Sequence, residues 1–146
     1  MTLERFTLRS AVYLLLFRKA RLFLLRRYNT GWMDGKYTLI AGHLDPKETI
    51  FETMKREAFE ETGIKVKISD LAPVTVLHRK STDSEYIDFF FVAKKWSGEP
   101  KLKEPEKCDD IGWFPLSNLP ENMLPYIKKV LENYSRGIAF SSFGWK

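Results

Sequence analysis

The chain has 146 residues, with 24 Lys and Arg against 19 Asp and Glu, a formal charge of +5, 44% hydrophobic residues and 14% aromatic residues. That length suits one domain spanning residues 1–146, and the apolar content excludes a disordered body. The apolar runs Ala11–Phe17 and Leu22–Leu25 are far short of the roughly 20 residues needed to cross a bilayer. The N-terminus, MTLERFTLRS, carries an early acid and no small-residue cleavage site after an apolar stretch. A cytoplasmic chain with no membrane partner is therefore expected.

In chain order, Arg9–Phe17 and Arg21–Arg27 are rich in Val, Tyr, Leu and Phe on both alternating faces, as in strands covered on both sides. Tyr28–Lys36 (YNTGWMDGK) collects turn residues into a surface loop, and a short strand over Tyr37–Ala41 follows. Asp45-Pro46 offers an N-cap and a first-turn proline for a helix over Lys47–Thr62. Ile50, Phe51, Met54 and Ala58 fall at helical spacing there, and Gly63 closes it. Val66–His78 and Glu85–Trp96 read as strands, with a turn near Asp83-Ser84 and Ser97–Pro100 ending the second. Residues 101–109 form a charged loop, Ile111–Phe114 a short strand, and residues 121–136 a helix stopped by Gly137. An aromatic tail over Ile138–Lys146 covers either the core or a subunit interface. The expected class is α/β (α+β): an α/β/α sandwich around a mixed sheet.

Cys108 is the sole cysteine, which excludes any Cys-pair metal site, and is expected as a buried thiol; with His43 and His78 far apart in sequence and lacking a third partner, a His-based zinc site is not expected. Any metal must be held by oxygen. Such oxygens are concentrated in Gly42–Ile64, GHLDPKETIFETMKREAFEETGI. On a helix, Glu57, Glu60 and Glu61 stand at i, i+3 and i+4 and share one face, where each like-charge pair costs roughly 0.2–0.5 kcal/mol. Of the nearby bases only Arg56 and Lys65 are placed to relieve them. A divalent cation would turn the repulsion into attraction, and hard carboxylates suit Mg²⁺ or Mn²⁺. The basic remainder of the chain would then help neutralise a phosphate-bearing substrate.

The segment resembles the signature of the Nudix hydrolases at every fixed position: Gly42, Glu48, Arg56-Glu57, the aliphatic Ala58, Glu60-Glu61, Gly63 and Ile64. Ala58 is smaller than the usual aliphatic. The WSGEP turn and the final helix extend the resemblance over almost the whole chain. It implies hydrolysis of a nucleoside diphosphate linked to another moiety, by water attack at phosphorus with Mg²⁺, or Mn²⁺ in its place. By matching position, Glu57, Glu60, Glu61 and the Gly42 carbonyl would bind metal, while Glu48 and Arg56 would form a buried supporting ion pair. Either Glu57 or Glu104 would take the proton of the attacking water. The stretch after WSGEP is similar to the MutT-type branch and makes Glu104 a further metal ligand.

The resemblance also places Arg26 and Arg27 near the substrate phosphates, against the plain alternative of a solvated pair at a strand end. Asn122 falls either where a purine edge would be read or at a helix N-cap. Trp32, Tyr37, Phe89 and Phe91 are candidates for stacking on a base, and core packing is the competing role. A nucleoside triphosphate is the leading substrate. ADP-ribose, dinucleoside polyphosphates, RNA 5′ ends and a non-catalytic nucleotide-sensing role are the alternatives. The partner is a small nucleotide rather than a nucleic acid, Lys128-Lys129 reading as a solvated helix face, and the chain is a monomer or a homodimer.

Overall fold

The computed structural model describes residues 4–145; the first three residues of the N-terminal stretch and the last of the aromatic tail lie outside it. The chain folds around a five-stranded mixed sheet. Its strands are β1 (Arg9–Leu15), β5 (Ile40–His43), β6 (Leu71–Lys80), β7 (Glu85–Ala93) and β9 (Phe140–Phe143), in the order β5-β1-β7-β6-β9. β1 pairs parallel with β7 from Arg9↔Tyr86 to Leu15↔Val92, and antiparallel with β5. A smaller antiparallel sheet is organised on β3 (Arg21–Arg27), which pairs with β8 (Cys108–Pro115), β2 (Phe17–Arg18) and β4 (Tyr37–Thr38).

Two helices cover opposite faces of the large sheet. The face bearing Val12, Leu14, Ile40 and Phe91 packs on Met54 and Ala58 of α1 (Ile50–Thr62). The face bearing Tyr13, Leu15, Leu77 and Phe90 packs on Tyr126, Ile127 and Val130 of α2 (Pro125–Ser135). Strand alternation divides β1 between two cores, as its apolar residues on both faces require. Among the described residues no helix is long and apolar enough to cross a membrane.

Several boundaries differ from the sequence reading, each for a local reason. The strand expected over Arg9–Phe17 ends at Leu15, and Phe17 turns into the small sheet through a tight hairpin with Lys19 and Ala20 at φ 47 and 61. The helix does not start at Asp45-Pro46, because Lys47 has a φ of 66. Thr49 caps it instead, in a capping box with Glu52. The strand expected over Val66–His78 is preceded by a 3₁₀ turn at Ile68–Asp70 and runs on to Lys80, two residues past the expected end. The second helix begins at Pro125 with Leu124 as N-cap, which removes the capping role considered for Asn122. The aromatic tail supplies β9, which pairs parallel with β6 at the sheet's edge.

Candidate active site

The buried stripe of α1 contains Thr53, Met54, Ala58 and Thr62. Positions 57 and 61 continue that stripe at helical spacing, where a purely structural helix would carry apolar side chains. Here both are glutamates. Glu57 lies against Gly42 of β5, where a Cβ would overlap the Glu57 carboxyl group, so any larger residue there has to displace that side chain. Glu61 Oε1 accepts a hydrogen bond from the Ala41 amide at 2.7 Å. Both carboxylates line a groove of about 910 Å³, which they share with Glu60, Glu104, Gly42, Arg26 and Arg27.

Burial pushes the Glu61 carboxyl well above its ordinary value, and neighbouring Glu57 and Glu104 push it further. Glu57 is raised by the same desolvation and partly restored by Arg56. The cation that binds this set directly is Arg56. Arg56 binds Glu48 in a two-pronged contact, Nε to Oε2 at 2.9 Å and Nη2 to Oε1 at 3.0 Å. Its Nη1 also reaches Glu57 at 2.8 Å and Glu60 at 3.2 Å, and its Nη2 lies 3.2 Å from Asp45. Arg56 thus serves four carboxylates. The expected Glu48–Arg56 pair is present but only half-buried, and neither side chain lines the groove; Arg56 meets it through Glu57 and Glu60. The pair and a hydrogen bond from Thr53 hold the Glu48 carboxyl down to about 2. Lys65 makes no ion pair with these acids among the described residues; its backbone instead bridges to Ser97.

Among the described residues no three His, Cys, Asp or Glu side chains are drawn together closely enough to enclose an ion. Arg56 holds Glu57 and Glu60, and the Ala41 amide holds Glu61. The donor set still fits a hard divalent cation: four carboxylates line one groove, two of them desolvated and raised in pKa.

Arg26 pairs with Asp109 at 2.7 Å, and Arg27 lies over the Trp32 ring while donating to the Trp32 carbonyl and the Thr30 hydroxyl. The β3–β8 register shifts between Arg26 and Arg27, with Asp109 of β8 as the extra residue. Of the proposed stacking residues only Trp32 lines the groove. Tyr37 is buried with its hydroxyl on Asp110, and Phe89 and Phe91 belong to the core beneath α1. Asn122 is not among the groove residues, and its amide donates to the Gly35 carbonyl at 2.8 Å. Cys108 is buried, as expected.

Residues 7–134 match the family model described as the NUDIX domain. The chain belongs to the Nudix family. It is 34% identical over 88 residues to the mouse 8-oxo-dGDP phosphatase NUDT18, covering 59% of this chain and 26% of that protein. It is 31% identical over 116 residues to the NAD-capped RNA hydrolase NudC of Chromobacterium violaceum, covering 80% of this chain and 42% of that protein. The chain therefore spans well under half the length of these curated relatives. Its fold is similar to that of the MutT NUDIX hydrolase from Burkholderia pseudomallei, with a TM-score of 0.80, 25% identity and coverage of 86% of this chain and 97% of that one.

The groove also contains residues outside the Nudix box that the sequence reading passed over: Tyr13, Arg79, Tyr86 and Tyr126. Arg79 is buried and bound to the fully buried Asp88. A signal for it existed in the alternation of β6, where Thr75, Leu77 and Arg79 all face inward.

Proposed function

We propose that this chain is a divalent-metal-dependent hydrolase of nucleoside diphosphate derivatives, with nucleoside triphosphates as the leading substrate class and residues 1–146 acting as one domain. The observation that carries the reading is the placement of Glu57 and Glu61, half-buried beside the buried stripe of α1, in the groove next to a glycine that leaves room for one of them. Glu57, Glu60, Glu61, Glu104 and the Gly42 carbonyl would hold Mg²⁺ or Mn²⁺. When bound, the ion supplies charge for the diphosphate oxygens and lowers the pKa of the attacking water.

The remaining work falls to this chain's own groups. Arg26 and Arg27, braced by Asp109 and by Trp32 with Thr30, offset phosphate charge. Glu57 or Glu104 accepts the proton of the attacking water. Arg56 ties the loop before α1 to the helix through Glu48 and so fixes Gly42 against Glu57.

The test is release of phosphate or pyrophosphate from a nucleotide panel, with nucleoside triphosphates, ADP-ribose and dinucleoside polyphosphates in separate reactions. Turnover with Mg²⁺ that stops in excess chelator is expected. Full turnover in chelator would refute the metal assignment, and no turnover on any member would refute the hydrolase.

A further inference from the structure

At the other part of the groove, away from the glutamates in sequence, stands a second arginine with a different setting. Arg79 of β6 is 6% exposed and lines the groove. Its Nε donates to Asp88 Oδ2 at 2.6 Å, and its Nη2 donates to Asp88 Oδ1 at 3.3 Å and to the Tyr13 hydroxyl at 3.4 Å. The Tyr86 and Tyr126 rings each lie 4.2 Å from its central carbon. Tyr126 is held in turn by a 2.9 Å hydrogen bond between its hydroxyl and that of Tyr13. Register explains the assembly: Arg79 pairs with Tyr86 across the β6–β7 hairpin, and Asp88 stands beside Ala11 in the parallel pairing.

The guanidinium is thereby engaged on Nε and Nη2 and flanked by two rings. Its Nη1 has no hydrogen-bond partner among the described residues. Nη1 is nevertheless not sealed in: among the described residues the buried side-chain nitrogen without a partner is His78 Nε2, so the free edge of Arg79 is open to the groove that it lines. Ligand contact must come in the guanidinium plane, through Nη1, and it must come from an acceptor, because arginine offers donors alone. Asp88 cancels the charge, so the pair attracts an anion weakly. Phosphate is better served by Arg27, which lines the same groove and bonds only the neutral Trp32 carbonyl and Thr30 hydroxyl. What suits a neutral, planar, donor-only edge between aromatic walls is a carbonyl on the rim of a flat ring.

We propose that Arg79 is a specificity-determining residue that donates from Nη1 to the oxo group of the substrate's nucleobase, selecting 6-oxopurines over 6-aminopurines. Adenine presents an amino donor at that position, and donor would face donor; guanine and hypoxanthine present an acceptor. This inference rests on the nucleotide reading of the groove and moves base selection from Asn122 to the β6–β7 hairpin.

The experiment is calorimetric binding of IMP, GMP and AMP to the intact protein without metal, repeated on Arg79→Lys, which keeps a cation for Asp88 and loses the planar fork. IMP and GMP are expected to bind roughly tenfold or more tightly than AMP, and Arg79→Lys to erase the difference. Equal binding of IMP and AMP, or no binding of either, overturns the proposal. So does a preference that survives in a folded Arg79→Lys variant. The IMP–AMP comparison on the unaltered protein decides even where that variant does not fold. Magnesium-dependent turnover without a base preference would spare the hydrolase and remove Arg79. A 6-oxo preference in binding without turnover on any nucleotide would do the reverse.

Discussion

Two arginine–carboxylate centres border one groove, and they differ in balance. Arg56 lies behind the groove's glutamates, within 3.2 Å of Asp45, Glu48, Glu57 and Glu60, one cation among four anions. Arg79 sits in the floor with a single buried partner, Asp88, and two tyrosine rings around it. The first centre is short of positive charge and open, the condition under which a soluble cation binds. The second is neutral and buried except for the edge it turns to the groove, the condition under which charge is retired from recognition and shape and hydrogen-bond direction remain. Both centres use the same chemistry, and position relative to water decides what each is for.

The most severe way to break the contrast is to remove a carboxylate from the open centre. Glu61→Gln keeps shape while deleting a hard anionic ligand, so turnover should fall by about 10²–10⁴ in a steady-state assay. Melting should hold or rise, because a desolvated charge is relieved. Unchanged turnover would take Glu61 out of the metal set.

At the neutral centre the effect should be on folding. Asp88→Ala leaves Arg79 buried and unpaired and should cost about 3–5 kcal/mol in denaturant unfolding. Replacing the pair together, Arg79→Met with Asp88→Leu, should recover most of that loss; a double variant as unstable as the single one would contradict the balance argument.

Gly42→Ala tests the join between strand and helix. A methyl there meets the Glu57 carboxyl, so turnover should drop roughly 10- to 100-fold as Glu57 is displaced, with only a small change in melting temperature. Normal turnover would show that Glu57 works from elsewhere. Arg56→Ala should lower melting by roughly 5 °C and reduce turnover too, since it releases Glu48 and leaves Glu57 and Glu60 without a counter-charge. A variant normal in both would empty the hub of meaning.

The mildest test uses pH. Glu48 has a folded value of about 2, below its unfolded value, so its contribution to stability is complete above the ordinary glutamate range and disappears as pH falls toward 2. The melting-temperature gap between the parent and Glu48→Gln should accordingly be widest near neutrality and close in acid. A gap independent of pH would mean that the pair with Arg56 contributes nothing.

What could be read in advance follows the same division. The glutamates of the open centre were legible because helical spacing alone gathers residues 57, 60 and 61, and the two-layer covering of β1 was legible from apolar residues on both its faces. The start of α1 was not, since Asp45-Pro46 is a sound capping signal that the left-handed Lys47 overrides. Glu48 consequently lies in the loop before the helix, from which it folds back onto Arg56. The neutral centre was hidden because a charged residue at the end of an apolar run looks like the end of a strand. Its partner becomes visible only through the register of a hairpin and the pairing of β1 with β7. Tyr126 arrives from a helix more than a hundred residues away from Tyr13, a contact no local pattern encodes.

The parallel pairing of β1 with β7 has a consequence for how the chain is made. β1 is an interior strand of the large sheet, yet its partner Tyr86 lies far along the sequence from Arg9. During synthesis the first strand therefore leaves the ribosome with apolar residues on both faces and only β5 near enough to cover one edge. The sheet cannot close until β7 has emerged, and its far edge waits longer still for β9. Non-local pairing of this kind makes for slow folding and a prolonged exposure of sticky strand. Nascent chains stalled before residue 85 should be the form of this protein that chaperones hold.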